Sequence, residues 1–306
     1  MFVALISHPD CLLHEMGYYH PESPQRITAI RDRLTAAGML DLMREYDAPL
    51  ATREQLIRAH DPRYVDAIFA QAPKEGHLML DPDTSMNPHS LNAALRAAGA
   101  VVLGVDLVMR GEAGAAFCNV RPPGHHADRA HAMGFCIFNN IAVGACHALA
   151  IHQVKRVAIV DFDVHFGNGT AAIFQDEPRL LMCSSFQHPY YPHVPVEAET
   201  GGAIRIMLPA GSGSRAFREG VLARWIPRLE AFAPELILIS AGFDAHAEDD
   251  MAGLRFTDDD YGWVTEQVKK IADRFAAGRI VATLEGGYAL SALGRSAAAH
   301  IKALMG

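Results

Sequence analysis

Cysteine is scarce in this 306-residue chain, and none of its five cysteines is paired as CxxC. Cys11, Cys118, Cys136, Cys146 and Cys183 are odd in number, far apart and set mostly among apolar neighbours. That argues against a disulfide framework and a closed cysteine-rich metal site, and for reduced core thiols. Basic charge is also short: 27 Lys and Arg stand against 35 Asp and Glu, a net charge of -8. This is a poor match for a surface that grips phosphate backbones, so nucleic acid is not expected as a direct ligand. No apolar segment is read as reaching the roughly 20 residues needed to span a bilayer. The opening MFVALISHPD has neither a basic flank nor a small-residue cleavage site, so it reads as a first strand and not a signal peptide. A cytoplasmic protein without a membrane partner is expected. No GxGxxG follows that strand, which removes a dinucleotide-binding enzyme of the Rossmann type. No linker, repeat or low-complexity tract interrupts the chain, so residues 1–306 are read as one catalytic domain acting without an adaptor segment; self-association into a homo-oligomer is left open.

Apolar residues make up 50% of the chain, enough to bury a large core. Apolar β-rich runs recur: FVALIS, AAFCNV, RVAIVDFD, LLMCSS, AIRIML, ELILISAGFD and RIVATLEGGY. Amphipathic stretches alternate with them, at Pro24–Ala37, Ser90–Met109, Phe138–His152, Arg215–Phe232, Asp258–Ala277 and Leu290–Met305. The alternation predicts a three-layer α/β/α domain with a mostly parallel central sheet. Ligands of such sheets bind beyond the carboxyl ends of the strands, and there the polar clusters sit: RPPGHH, DFDVH, GFDAH and EGGY each follow an apolar strand. The aromatic, proline-rich stretch 187–202 reads as an ordered loop bordering the same rim.

Charged groups ending a buried strand lose hydration and need compensation. If the strand continues through DFDVH, its period of two puts Asp161, Asp163 and His165 on one face. The plainer reading is an acidic strand end bonding a helix amino terminus. GFDAH adds Asp244, and together Asp163, His165 and Asp244 make a mixed nitrogen and oxygen set with room for a further ligand, as catalytic zinc requires. His125 and His126 follow a rigid Pro-Pro-Gly turn. They are either solvent-exposed turn residues or an imidazole pair able to move a proton between water and an amine. Tyr288, after two glycines, is either a capping aromatic or a phenol placed to stabilise a carbonyl oxygen gaining charge.

Taken together, HPESPQR, LDPDTSMNPHS, RPPGHHA, MGFCIFNN, DFDVHFGNGT, AGFDAH and LEGGY, in this order, resemble the histone deacetylase family of the arginase-deacetylase superfamily, on its class II side, and its bacterial amidohydrolase members. The resemblance covers nearly the whole chain. It implies the arginase-deacetylase fold and a zinc-dependent deacetylase, or amidohydrolase, cleaving Nε-acetyl-lysine or another acylated amine. Asp163, His165 and Asp244 would hold Zn2+. His126 would be general base and then acid, assisted by His125, with Asp161 and Asn168 orienting the pair, and Tyr288 would bind the scissile carbonyl. A structural K+ would take Asp161, Ser185, Phe186 and the backbone of Asp163 and His165. Gly134, Phe135 and Tyr191 would line the acyl channel, Asp83 would receive peptide N–H groups at the rim, and Arg26 would stand at the acetate-release end. An acylated-lysine peptide or protein, or a small acylated amine, is the implied partner.

Three positions depart from common family patterns. Phe166 replaces a second histidine, a change expected to alter packing only. Asn168 replaces a class I aspartate and should leave His126 less basic. Met251 stands where polyamine-selective relatives carry glutamate, and a thioether cannot attract a distant ammonium.

Overall fold

A computed structural model of the chain describes residues 2–194, 199–200 and 203–306. Its strands are β1 (Val3–Ser7), β2 (Met43–Asp47), β3 (Leu78–Asp81), β4 (Thr84–Met86), β5 (Ala115–Cys118), β6 (Val157–Asp161), β7 (Leu180–Gln187), β8 (Glu199–Thr200), β9 (Ala203–Leu208), β10 (Leu236–Ala241) and β11 (Ile280–Leu284). The helices are α1 (Gln25–Ala36), α2 (Arg53–Leu56), α3 (Pro62–Gln71), α4 (Ser90–Met109), α5 (Asn140–Ala150), α6 (Asn168–Phe174), α7 (Ser214–Gly220), α8 (Ile226–Phe232), α9 (Asp258–Phe275) and α10 (Leu290–Met305). The sheet runs β2-β1-β5-β11-β10-β6-β7-β9-β8, parallel throughout except for the last strand.

The expected three-layer α/β/α architecture is present, and its physical basis is visible in single strands. In β6, Val157 and Ile159 face a core built with α3, α4 and α5, while Ala158 and Val160 face a second core built with α1, α9 and α10. A strand buried on both faces has no polar face to show, which is why these segments are apolar throughout. β5, β11, β10, β6 and β7 are neighbours in the sheet, so the four polar motifs leave from adjacent strand ends. Strands about 4.8 Å apart bring residues 80 positions apart in sequence within reach of each other.

Several elements differ from expectation. β2, the β3–β4 hairpin and α2 are too short and polar to be seen from sequence, whereas α3, which buries Val65 and Ile68, is an amphipathic helix that the sequence reading lacks. α5 starts at Asn140 and not Phe138, because the Asn139 side chain accepts the Ala142 N–H and caps it there. The expected Arg215–Phe232 helix is interrupted by a π-helical stretch, Val221–Trp225, immediately ahead of Pro227; a proline offers no N–H to the preceding turn. One helix, α4, does have the length and apolar composition to cross a membrane, contrary to the sequence reading, but its apolar window is 72% buried within the fold, against α5 and the sheet. Part of the 187–202 stretch, residues 195–198, 201 and 202, lies outside the described residues.

Gly99, in the middle of α4, marks where this helix meets the backbone of Pro49–Ala51: a Cβ there would stand 2.0 Å from the Pro49 carbonyl oxygen. Glycine-to-alanine in a helix ordinarily stabilises. Here Gly99→Ala is expected to destabilise by about 1–3 kcal/mol through overpacking, measured by denaturant unfolding; a stabilised variant would refute the close approach.

Candidate metal centre

The register of β6 against β10 pairs Asp161 with Ser240, and that of β10 against β11 pairs Ala241 with Leu284. Continuing past the strand ends, this sets Asp163 and Asp244 between the glycines of GFDAH and EGGY. A Cβ at Gly242 would stand 2.1 Å from Asp163 Oδ2, and one at Gly286 2.1 Å from Asp244 Oδ2. Only glycine leaves these carboxylates room.

β6 ends at Asp161, so Asp163 and His165 do not project from a strand as the period of two supposed. The chain instead turns tightly: Asp161 Oδ1 accepts the Asp163 N–H and Asp163 Oδ1 accepts the His165 N–H. The outcome is nevertheless convergent. His165 Nδ1 lies 3.0 Å from Asp163 Oδ1 and 3.2 Å from Asp244 Oδ2, and one donor atom from each residue fits within 4.8 Å of the others. All three are buried. Asp163 Oδ2 accepts Gly286 N–H at 2.8 Å and Asp244 Oδ1 accepts Val164 N–H at 2.9 Å, which aims the remaining oxygens inward. Asp244 Oδ2 is buried without a directed hydrogen bond.

The charges show what such a cluster needs. Burial and the neighbouring Asp163 charge push the Asp244 carboxyl up to about 6. Burial works against a charge on His165, but Asp163 and Asp244 outweigh it and raise the imidazole to about 9. A proton is thus retained among two carboxylates and an imidazole, in the place a divalent cation would take. The donor set fits zinc, with Nδ1 as the nitrogen ligand. Beside it, Ser185 Oγ is buried with no hydrogen-bond partner, close in sequence to Phe186 and one residue past the Asp161–Ser184 pairing, a site with unsatisfied oxygen that fits a monovalent cation.

His125 and His126 are buried, not turn residues in solvent, with ring centroids 4.1 Å apart. His125 Nδ1 meets Asp161 Oδ2 at 3.0 Å; His126 Nδ1 meets Asn168 Oδ1 at 2.7 Å. The expected orienting partners are therefore in place. Burial opposes charge on both rings, yet their outcomes differ. For His125, Asp163 and Asp161 override burial and hold the ring well above the ordinary imidazole range. For His126, the charges of His125 and His165 add to burial and hold it well below. The surroundings therefore favour the charged form of His125 and the neutral form of His126, whose Nδ1 is taken by Asn168.

Both rings open on a cavity of about 180 Å³, lined also by Asp83, Gly134, Phe135, Tyr191, Met251 and Tyr288. Burial holds the Tyr288 phenol well above its ordinary range, so it stays a donor. Gly134 is in the left-handed region at φ +58, and a Cβ there would press on His126 at 2.4 Å. Asp83 accepts the Gly134 N–H at 2.9 Å and the Thr84 hydroxyl at 2.8 Å, so it braces the channel wall as well as facing the rim. Phe166 packs against Phe186 and lies outside the donor set.

Other participants were silent in the sequence. Tyr190 stacks on His165 at 5.6 Å and gives its hydroxyl to the Met251 carbonyl. Asp249, almost fully buried, accepts N–H groups from Tyr288 (2.6 Å), Ala289 (3.0 Å) and Met251 (3.0 Å). Glu285 accepts N–H groups from Gly124 and His125 and the Ser240 hydroxyl, fixing the histidine turn to β11 and β10. The available sequence signals were Glu285 inside LEGGY, Asp249 three residues past AGFDAH, and Tyr190 in the aromatic stretch 187–202.

A search against family models matches the histone deacetylase domain over residues 20–304. The chain belongs to the histone deacetylase family. A histone deacetylase-like amidohydrolase of Pseudomonas aeruginosa is 37% identical over 88% of this chain and 72% of its own length. Human polyamine deacetylase HDAC10 is 32% identical over all of this chain and 48% of its own. Type-2 histone deacetylase 2 of Dictyostelium discoideum is 33% identical, the match spanning 98% of this chain but only 20% of that protein. The crystal structure of the HDA15 HD domain superposes with a TM-score of 0.93 at 32% identity, covering 99% of this chain and 88% of that one.

Arg26 is fully buried; it donates to the Gly287 carbonyl at 2.7 Å and to Glu22 at 3.0 Å, contacts the Glu285 carbonyl, and lies over the Tyr288 ring at 5.0 Å. Arg121 shares Glu22. Burial alone would raise the Glu22 carboxyl, but Arg121 and Arg26 bring it down to about 2. A depressed carboxylate contributes stability that is present above its unfolded value, roughly 4.3, and is lost as pH falls toward the folded one. Glu22→Gln is expected to cost about 3–5 kcal/mol at neutral pH, by stranding two buried guanidinium groups, and to flatten the acid limb of stability between pH 4.3 and 2. Unfolding measured across pH would refute this if wild type and variant lose stability in parallel there.

Proposed function

We propose that this chain hydrolyses the amide of Nε-acetyl-lysine or a closely similar acylated amine, releasing acetate and the free amine, with Zn2+ held by Asp163, His165 and Asp244, and K+ beside it at Asp161, Ser185 and Phe186. Residues 1–306 act in this reading as one catalytic domain in the cytoplasm. The observation that carries it is the imidazole pair with unlike partners, His125 on the Asp161 carboxylate and His126 on the Asn168 amide, opening with the Tyr288 phenol on a narrow cavity beside a three-donor metal set.

When bound, the zinc ion supplies Lewis acidity at the carbonyl and its attacking water. His126, neutral and held at Nδ1 by Asn168, receives the water proton at Nε2 as the water oxygen bonds to the carbonyl carbon. The same proton passes to the amine nitrogen as the C–N bond breaks, so no free amide anion forms. His125, cationic through Asp161 and Asp163, favours the negative charge gathering on the former carbonyl. Tyr288 donates its hydrogen bond to that oxygen. Phe135, Tyr190, Tyr191 and Met251 leave a slot suited to a linear aliphatic stem, and burial keeps bulk water out.

The relative described as a polyamine deacetylase keeps a second substrate class in play, a small acylated amine. Met251 offers such a substrate no charge. A panel of acetyl-lysine peptides and N-acetylputrescine, run with and without chelator, is expected to give the higher kcat/KM on the peptide and none after metal removal; a clear preference for the diamine would overturn the substrate, and binding without turnover would overturn the enzyme. Tyr288→Phe should lower kcat about a hundredfold or more at unchanged metal content, and equal turnover would remove Tyr288 from the reaction. For Asp249→Asn, kcat should fall about tenfold or more with KM and bound metal little changed, because the Tyr288 backbone loses its anchor; a change confined to melting temperature would make Asp249 merely structural.

A further inference from the structure

A second group of metal-ligating side chains lies at the end of the sheet where the strands begin, away from the catalytic rim. Asp106 stands in the last turn of α4, His147 in the last turn of α5, and His152 just beyond it. Asp106 Oδ1 is 2.9 Å from His147 Nε2 and 2.6 Å from His152 Nε2, and the three donor atoms fit within 4.8 Å of one another. Donors sharing one ion at about 2.0–2.2 Å sit roughly 3–3.5 Å apart, so a slight opening of this cluster accommodates a cation. The His147 side chain is 7% exposed, while those of His152 and Asp106 are 16% and 20% exposed. The pocket is therefore anchored inside and open to water on one side.

We propose that Asp106, His147 and His152 form a second metal site, for a divalent cation of the imidazole-seeking kind such as Zn2+ or Ni2+, that staples the end of α4 to the end of α5. Two features argue for it independently. The ligand set, two imidazoles and one carboxylate, suits late first-row metals and not Mg2+ or Ca2+. Two helix carboxyl ends also converge there, each carrying partial negative charge that favours a cation. Two arginines compete for this field. Arg110, with 59% of its side chain exposed, touches the other Asp106 oxygen at 3.4 Å and can swing into solvent. Arg58 lies 3.4 Å from His147 Nδ1 and must yield, because an imidazole ligating through Nε2 carries its proton on Nδ1. The site therefore fills after the catalytic one.

Metal-free protein is titrated calorimetrically with ZnCl2, and separately with NiCl2, and bound metal is counted after desalting. Wild type is expected to take two ions per chain, and His152→Gln and Asp106→Asn one each, with deacetylase turnover at one equivalent equal to wild type. The melting temperature should rise with the second equivalent in wild type only. Asp163→Ala, which breaks the catalytic set, should keep one ion, and Asp163→Ala/His152→Gln none. A single ion in wild type, or a second ion that survives both His152→Gln and Asp106→Asn, overturns the proposal and leaves the cluster a hydrogen-bonded clamp.

Discussion

The structure turns on two carboxylates, Asp163 and Asp244, buried close together against the same imidazole. At about 4 Å and an effective dielectric near 20, two like charges repel by roughly 4 kcal/mol, before the cost of removing each from water is counted. Nothing in an apolar three-layer fold requires that arrangement, and much of the local sequence serves to tolerate it. Gly242 and Gly286 exist to leave space for the oxygens, backbone N–H groups of Gly286 and Val164 absorb part of their charge, and His165 holds a proton between them. Such hydrogen bonds lower the repulsion without removing it. A divalent cation would remove it, and the geometry of the three donors suits one.

The same field differentiates the two neighbouring histidines. They are adjacent in sequence, equally buried and chemically identical, so composition cannot assign them roles. Their partners do: Asp161 is charged and Asn168 is not. Asp163 and Asp161 together raise His125 against its burial, and the charge so favoured there adds to the burial that lowers His126. Substituting aspartate for Asn168 would weaken this contrast, since both rings would then face a carboxylate. An amide at position 168 accepts the His126 Nδ1 proton without adding a charge that would raise the ring.

Sequence reading reached the fold class and named the polar side chains that gather at the rim, because both rest on strong local signals. Uninterrupted apolar strands announce a sheet covered on both faces, and polar groups at their ends announce a rim. Where the signal was geometric, it failed. The period of two was the wrong reason for Asp163 and His165 to converge, since the strand stops at Asp161 and a chain of side-chain-to-backbone turns takes over. β2 and the β3–β4 hairpin were invisible for want of length and apolar pattern: MREYD is a half-polar edge strand, LMLD is only partly buried, and TSM, though buried, is three residues long. Asp249, Glu285 and Tyr190 were missed for a different reason. They act on backbone atoms of distant residues, and a partner that is a peptide N–H or C=O leaves no identifiable residue type to match.

Those missed residues define how the rim is kept rigid. Tyr288 follows two glycines, which gives its loop the freedom to approach the carboxylates and also the freedom to move away. Three buried groups counter that freedom from different directions: Asp249 takes the Tyr288 and Ala289 N–H groups, Arg26 takes the Gly287 carbonyl and covers the ring, and Glu285 ties the preceding residue to the histidine turn. Arg26 is in turn fixed by Glu22, whose other partner, Arg121, lies immediately before the Pro-Pro-Gly of the histidine turn. The histidine turn and the Tyr288 loop are thus braced through one buried charge network. A phenol must lie within a fraction of an ångström of the oxygen it stabilises, and glycine-rich backbone alone cannot hold that tolerance. The network behind the loop supplies that rigidity, with Glu22, Arg26, Arg121, Asp249 and Glu285 all set behind the cavity lining.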